Sequence, residues 1–225
     1  EAGQRRTIVG SHLLVASGRA AAVAGLNLEA ANVAYSAAGV RVDRRLRTTN
    51  RKIFAIGDVT GAQQFTHVAS YHAGIVLRNI LFRLPARVNE NAIPRVTYTD
   101  PELAHVGMTE AEARAAVGRI GVLRWPLAEN DRAQTEGDTG GLVKIIVGKR
   151  GRILGASILG AHAGDLIHPW VLAISAKLKL GAMAGAIVPY PTRSEISKRA
   201  AGSYYQPALT SARTKRIVRF LARFG

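Results

Sequence analysis

The chain has 225 residues, 48% hydrophobic and 20% charged, with 31 lysines and arginines against 15 aspartates and glutamates and a formal net charge of +16. That balance excludes a disordered chain, no apolar run reaches the length of a membrane-spanning helix, and the count of zero cysteines removes disulfides, thiolate metal sites and redox thiols. The length suits one large or two modest domains with their own cores, and a cytoplasmic protein is expected.

The positive excess is uneven. Residues 1–90 carry 12 basic and 5 acidic residues, residues 191–225 carry 8 and 1, and residues 91–190 carry a nearly balanced 11 and 9. No zinc-finger spacing, basic zipper or RNA-binding aromatic signature accompanies the charge, so nucleic acid is not an expected partner.

In chain order, Glu1–Arg6 reads as a chain entered mid-domain. His12–Ala16 is a β-like run closed by Ser17-Gly18-Arg19. Val40-Arg41-Val42-Asp43 alternates as a second short strand, and Ile53–Ile56 makes a third. The third ends in Gly57-Asp58, and a helical spacing follows from Thr66 to Leu84, stopped by Pro85. An aspartate at a strand's carboxyl end, facing a helix N-terminus, is where α/β sheets hold cofactors. The glycine before it is expected to let such a ligand approach the backbone.

The character changes near Leu84–Pro94. Arg95–Thr99 and Leu103–Met108 read as strands, and Thr109-Glu110-Ala111-Glu112 is a capping box opening a helix over Glu110–Val117. Ile120–Leu127, Gly141–Val147 and Arg152–Leu159 read as three more strands, the last two joined by the turn Gly148-Lys149-Arg150-Gly151. A long amphipathic helix is expected over Gly164–Leu180, interrupted near its start by Pro169, with shorter helices over Ala182–Ile187 and Arg193–Ala200. The expected class is α+β: the end of an α/β layer (1–90), an antiparallel sheet with helices on one face (91–200) and a basic amphipathic tail (201–225).

The spacing Thr48-x6-Ala55-x-Gly57-Asp58 resembles the second flavin-binding signature of the pyridine nucleotide-disulfide oxidoreductases. Ile93–Thr109 resembles the opening of that family's dimerisation domain, and Gly155-Ala156-Ser157-Ile158-Leu159-Gly160 its central strand. The resemblance covers essentially the whole chain and implies FAD as cofactor, NAD(P)H as electron donor and a homodimer. It implies that Asp58 holds the ribityl chain. The flavin would contact Thr48, Ala55 and Gly57 with the helix start Thr66, His67, Val68 and Ala69, where a helix dipole favours the negative charge of a reduced flavin.

Pro189-Tyr190-Pro191-Thr192-Arg193-Ser194-Glu195 stands where dihydrolipoamide dehydrogenase and glutathione reductase have His-Pro-Thr-x-x-Glu. There the histidine is the acid–base partner of a thiolate and the glutamate orients its ring. Tyr190 and Glu195 are the catalytic candidates, although a phenol titrating near ~10 shuttles protons poorly; tyrosine here resembles the mercuric reductase-like branch. Against this, no Gly-x-Gly-x-x-Gly follows a strand and the family's Cys-x4-Cys is absent. The expectation is therefore the C-terminal half of such an enzyme, inactive alone. A stand-alone dimerisation module without flavin or catalysis is the alternative. No metal site is expected: His162 and His168 lie six apart without a third ligand. Ile217, Phe220, Leu221 and Phe224 fall on one side of a basic terminal segment, so residues 213–224 are expected either to pack on protein or to graze an anionic membrane weakly.

Overall fold

The computed structural model describes residues 7–224, so the expectation for Glu1–Arg6 lies outside the described residues. The chain divides into two units, Glu1–Val88 and Asn89–Gly225.

In the first unit β1 (Tyr35–Ser36) and β2 (Gly39–Val40) form a short antiparallel hairpin, and α1 (Thr66–Ile80) follows a 3-10 turn over Gly57–Thr60. Val33, Val40 and Ala55 make one small core, while Leu46, Ile75 and Val88 make another. Four expectations need correction. His12–Ala16 is not a strand, and its apolar residues Leu13, Leu14 and Val15 are 88%, 87% and 75% exposed. A strand exists only when its backbone groups find a ladder, and none of the described residues pairs with it. Of Val40–Asp43 only Val40 is in a strand. Asp43 instead closes a turn, accepting the Arg45 and Arg47 N–H groups and the Arg47 guanidinium. Ile53–Ile56 contributes a single antiparallel bridge, Arg47 to Phe54, flanked by Thr48 N–H to Ile53 O and Ala55 N–H to Leu46 O. The helix also stops at Ile80, before Leu84, because Arg83 takes a left-handed φ of 51° and the Leu84 N–H turns back to the Arg78 carbonyl.

The second unit is a five-stranded antiparallel sheet. Its strands are β3 (Arg95–Thr97), β4 (Leu103–Gly107), β5 (Gly121–Pro126), β6 (Leu142–Val147) and β7 (Ile153–Leu159), in the order β3-β4-β7-β6-β5. Gly155 lies in the central strand as expected: a Cβ there would stand 2.1 Å from the Met108 carbonyl oxygen. The helix α2 (Glu110–Val117) follows β4, and α3 (Asp131–Thr135) follows β5.

Five further helices come after β7: α4 (Ala163–Leu166), α5 (His168–Ser175), α6 (Leu180–Ala184), α7 (Glu195–Ser203) and α8 (Gln206–Leu209); α9 (Ala212–Leu221) closes the chain. The main core joins Val106, Val143, Ile145 and Ile158 to Trp170 of α5 and Ile196 of α7. The other sheet face packs Ile146 and Leu154 against Ala113 of α2, so helices cover both faces, not one. The helix expected over 164–180 is three pieces. Pro169 sits at the start of α5, and Lys177 takes a left-handed φ of 55° that ends it before Leu180 opens α6. Inside this unit Trp170 Nε1 donates to Ser197 Oγ at 3.0 Å, pinning α5 to α7 through a satisfied buried polar pair.

Candidate functional site

The expected flavin residues fall into two groups. Thr48 is buried, and its hydroxyl turns to the carbonyls of Asn50 (2.8 Å) and Ile53 (3.0 Å), so it builds the turn from within. Thr49 and Asn50 extend this polar clamp to the carbonyls of Asn32 and Ala31. Ala55 is buried at the other end of the bridge, where the chain enters Gly57-Asp58.

There the fold brings Gly57 and Asp58 against the first turns of α1. Gly57 has φ 66°, and a Cβ on it would lie 2.9 Å from the Ala69 Cβ. The glycine thus serves the loop's contact with the helix. Its N–H donates to Nδ1 of the buried His72 at 3.1 Å, which puts the proton of the neutral ring on Nε2. His72 went unread in the sequence. The only available signal was its place one turn beyond Val68, on the buried side of α1.

Asp58 itself is exposed, and its carboxylate makes no hydrogen bond to any described residue. Nearby, α1 opens without a side-chain cap and without an acidic residue in its first turn, so its positive end is not neutralised locally. Val68 is buried and Ala69 half-buried, while Thr66 and His67 are exposed, with the His67 ring stacked on Phe65. Arg19 reaches the same region, donating to the Gln64 carbonyl just before the helix. A free carboxylate beside a positive helix end suits a ligand with several hydroxyls and an electron-accepting portion.

In the second unit Tyr190 is 69% exposed, and its phenol bonds to Asp131. That hydrogen bond, with the negative charge of Asp131, holds the phenol above its ordinary pKa, and Glu195 pushes the same way. Tyr190 therefore keeps its proton and works as a donor. A phenol has one proton where a protonated imidazole has two, so once Asp131 takes it nothing remains for Glu195. Glu195 Oε2 is buried without a hydrogen-bond partner among the described residues, and its other oxygen stands 3.8 Å from Arg199. The turn carrying Tyr190 is fixed from below. Asn130, buried, donates to Thr192 O at 3.1 Å while capping α3, and Arg193 pairs with Glu136 and Asp138.

Residues 93–201 match the description "pyridine nucleotide-disulphide oxidoreductase, dimerisation domain", and residues 1–73 match "pyridine nucleotide-disulphide oxidoreductase". Among curated relatives, mercuric reductase of Streptomyces lividans is 40% identical over 197 residues, spanning 86% of this chain and 41% of that protein. Mercuric reductase of Bacillus cereus is 36% identical, spanning 86% and 31%. Dihydrolipoyl dehydrogenase of Bacillus subtilis is 35% identical, spanning 88% and 43%. Among solved structures, the Cu(II) complex of the HOCl-induced flavoprotein disulfide reductase RclA from Escherichia coli superposes with a TM-score of 0.77 at 34% identity, covering 84% of this chain and 43% of that one. LpdA from Mycobacterium tuberculosis superposes at 0.83 with 27% identity, covering 88% and 44%. The chain spans less than half the length of each of these proteins.

Proposed function

The chain belongs to the pyridine nucleotide-disulphide oxidoreductases, and from that membership we propose that it supplies the flavin-facing aspartate loop and the dimer-forming domain of an FAD-dependent, NAD(P)H:disulfide-type oxidoreductase. The single observation that carries the reading is Asp58: an exposed carboxylate without a partner among the described residues, on a loop pressed against the uncapped start of α1. Bound there, FAD would supply two-electron transfer between a nicotinamide and a disulfide or related acceptor.

The chain's own residues have narrower tasks. Asp58 accepts hydrogen bonds from ribityl hydroxyls. The start of α1, at Thr66–Ala69, offers a positive field to the edge of the ring that gains negative charge on reduction. Gly57 and His72 hold the loop and the helix together. In the second unit Tyr190 faces the acceptor as a protonated phenol whose one hydrogen is held by Asp131, so its oxygen can accept a hydrogen bond there but donates no proton. With no cysteine and no Gly-x-Gly-x-x-Gly among the 225 residues, turnover requires further sequence carrying the dinucleotide cradles and a redox pair. The chain works as a homodimer through its second unit, in the cytoplasm.

Purification and a visible spectrum test this reading. The expected result is a yellow dimer with flavin absorption that does not couple NAD(P)H oxidation to disulfide reduction. A colourless dimer that does not take up added FAD would make the chain a dimerisation module instead.

A further inference from the structure

We propose that α9 is a membrane-surface anchor that lays its apolar side into an anionic lipid bilayer. No residue of this helix is buried. Ile217, Val218, Phe220 and Leu221 are each about half exposed, and Phe224 just beyond is 76% exposed. At helical spacing Ile217, Phe220, Leu221 and Phe224 share one side, while Lys215, Arg219 and Arg223 lie on the opposite one, Arg216 flanks it and Arg213 opens the apolar side. The structure thus leaves open the side that packing on this unit would have covered.

Charge identifies the occupant. Seven lysines and arginines and no acidic residue follow Glu195. A second copy of α9 against the first would bring two wholly cationic helices together with no acid between them, which repulsion opposes. An anionic bilayer answers both features at once: its headgroups face the cations, and its acyl boundary takes the phenylalanines. Arginine and lysine stems can lie along the apolar layer while their heads stay with the phosphates.

The helix is also preformed. Ser211 Oγ caps it by accepting the Thr214 N–H at 3.2 Å, and the Thr214 hydroxyl donates to Ala208 O at 2.6 Å. Phe220 and Phe224 meet edge to face with centroids 5.3 Å apart, forming a compact wedge. Binding therefore does not have to fold the segment first.

The test sediments the whole chain with vesicles of phosphatidylglycerol or of phosphatidylcholine, at low and high salt, and repeats it with Phe220→Asp/Phe224→Asp. The expected result is at least about tenfold tighter binding to phosphatidylglycerol, weakened by salt. The double variant should lose about tenfold of that binding while its circular dichroism and oligomeric state stay unchanged. Equal binding to both lipids, or no sedimentation with either, would overturn the proposal. So would a double variant that sediments like the parent, since adsorption would then be charge alone. A double variant that turns a dimer into a monomer would assign the apolar side to a second copy and also overturn it.

Discussion

Gly57 shows what a single residue contributes at the loop–helix junction. Its left-handed φ and the 2.9 Å clearance to Ala69 mean that Gly57→Ala adds both backbone strain and a collision. The predicted cost is about 2 kcal/mol in urea denaturation of the first unit, whereas a loss below a few tenths would mean that the contact is not maintained. At Tyr190 the prediction concerns the proton. Asp131 raises the phenol pKa, so Asp131→Asn should return the spectroscopic titration of Tyr190 to near the ordinary tyrosine value. His105 behaves in the opposite sense. Burial, the leading cause, holds its pKa below the ordinary histidine value, with the nearby Arg95 adding to it against a hydrogen bond to Gly107 O. The unfolded chain then binds the extra proton more readily, so stability is full above about pH 6.5 and falls as pH drops through that value toward the folded one. His105→Gln should flatten this decline in denaturation midpoints measured from about pH 8 to about pH 5. Of these residues, Gly57 and Asp58 were legible because they sit in one continuous spacing. His72, the Tyr190–Asp131 pair and the His105–Ser157 bond were not, since each joins residues that only the fold brings together.

At the scale of elements, local signals succeeded where the information was local. The box at Thr109 and Glu112 forms as read: Thr109 Oγ1 accepts the Glu112 N–H while Glu112 Oε2 accepts the Thr109 N–H. Thr109→Ala should cost about 1 kcal/mol, measured by urea denaturation; no change would mean that α2 does not depend on its cap. The β6–β7 hairpin also follows its turn sequence. Failures came where pairing or packing decides. The apolar residues of 7–17 could not show that no strand among the described residues would receive them. The spacing of 164–180 showed the break at Pro169 but hid the one that the backbone at Lys177 imposes. The position of α2 opposite α5 and α7 depends on which way Ile146 and Leu154 point, and the alternation in β6 carries that only once the sheet is known.

For the whole molecule, the second unit has a well-buried core yet leaves Leu172 59% and Ile187 98% exposed. Apolar side chains placed outward on α5 and beside the Tyr190 turn suit a second subunit. Light scattering at micromolar concentration should report a dimer, and Leu172→Asp should shift it toward monomer. A parent chain that is monomeric throughout would sink the assembly proposed for it. The proposed flavin role rests most directly on Asp58, whose carboxylate has no partner among the described residues. The deciding measurement is the affinity of the purified chain and of Asp58→Ala for FAD, read by quenching of flavin fluorescence. The account predicts measurable binding by the parent and a loss of about tenfold or more in the variant, the value of a charge-assisted hydrogen bond. Equal affinities, or no binding by either protein, would contradict it.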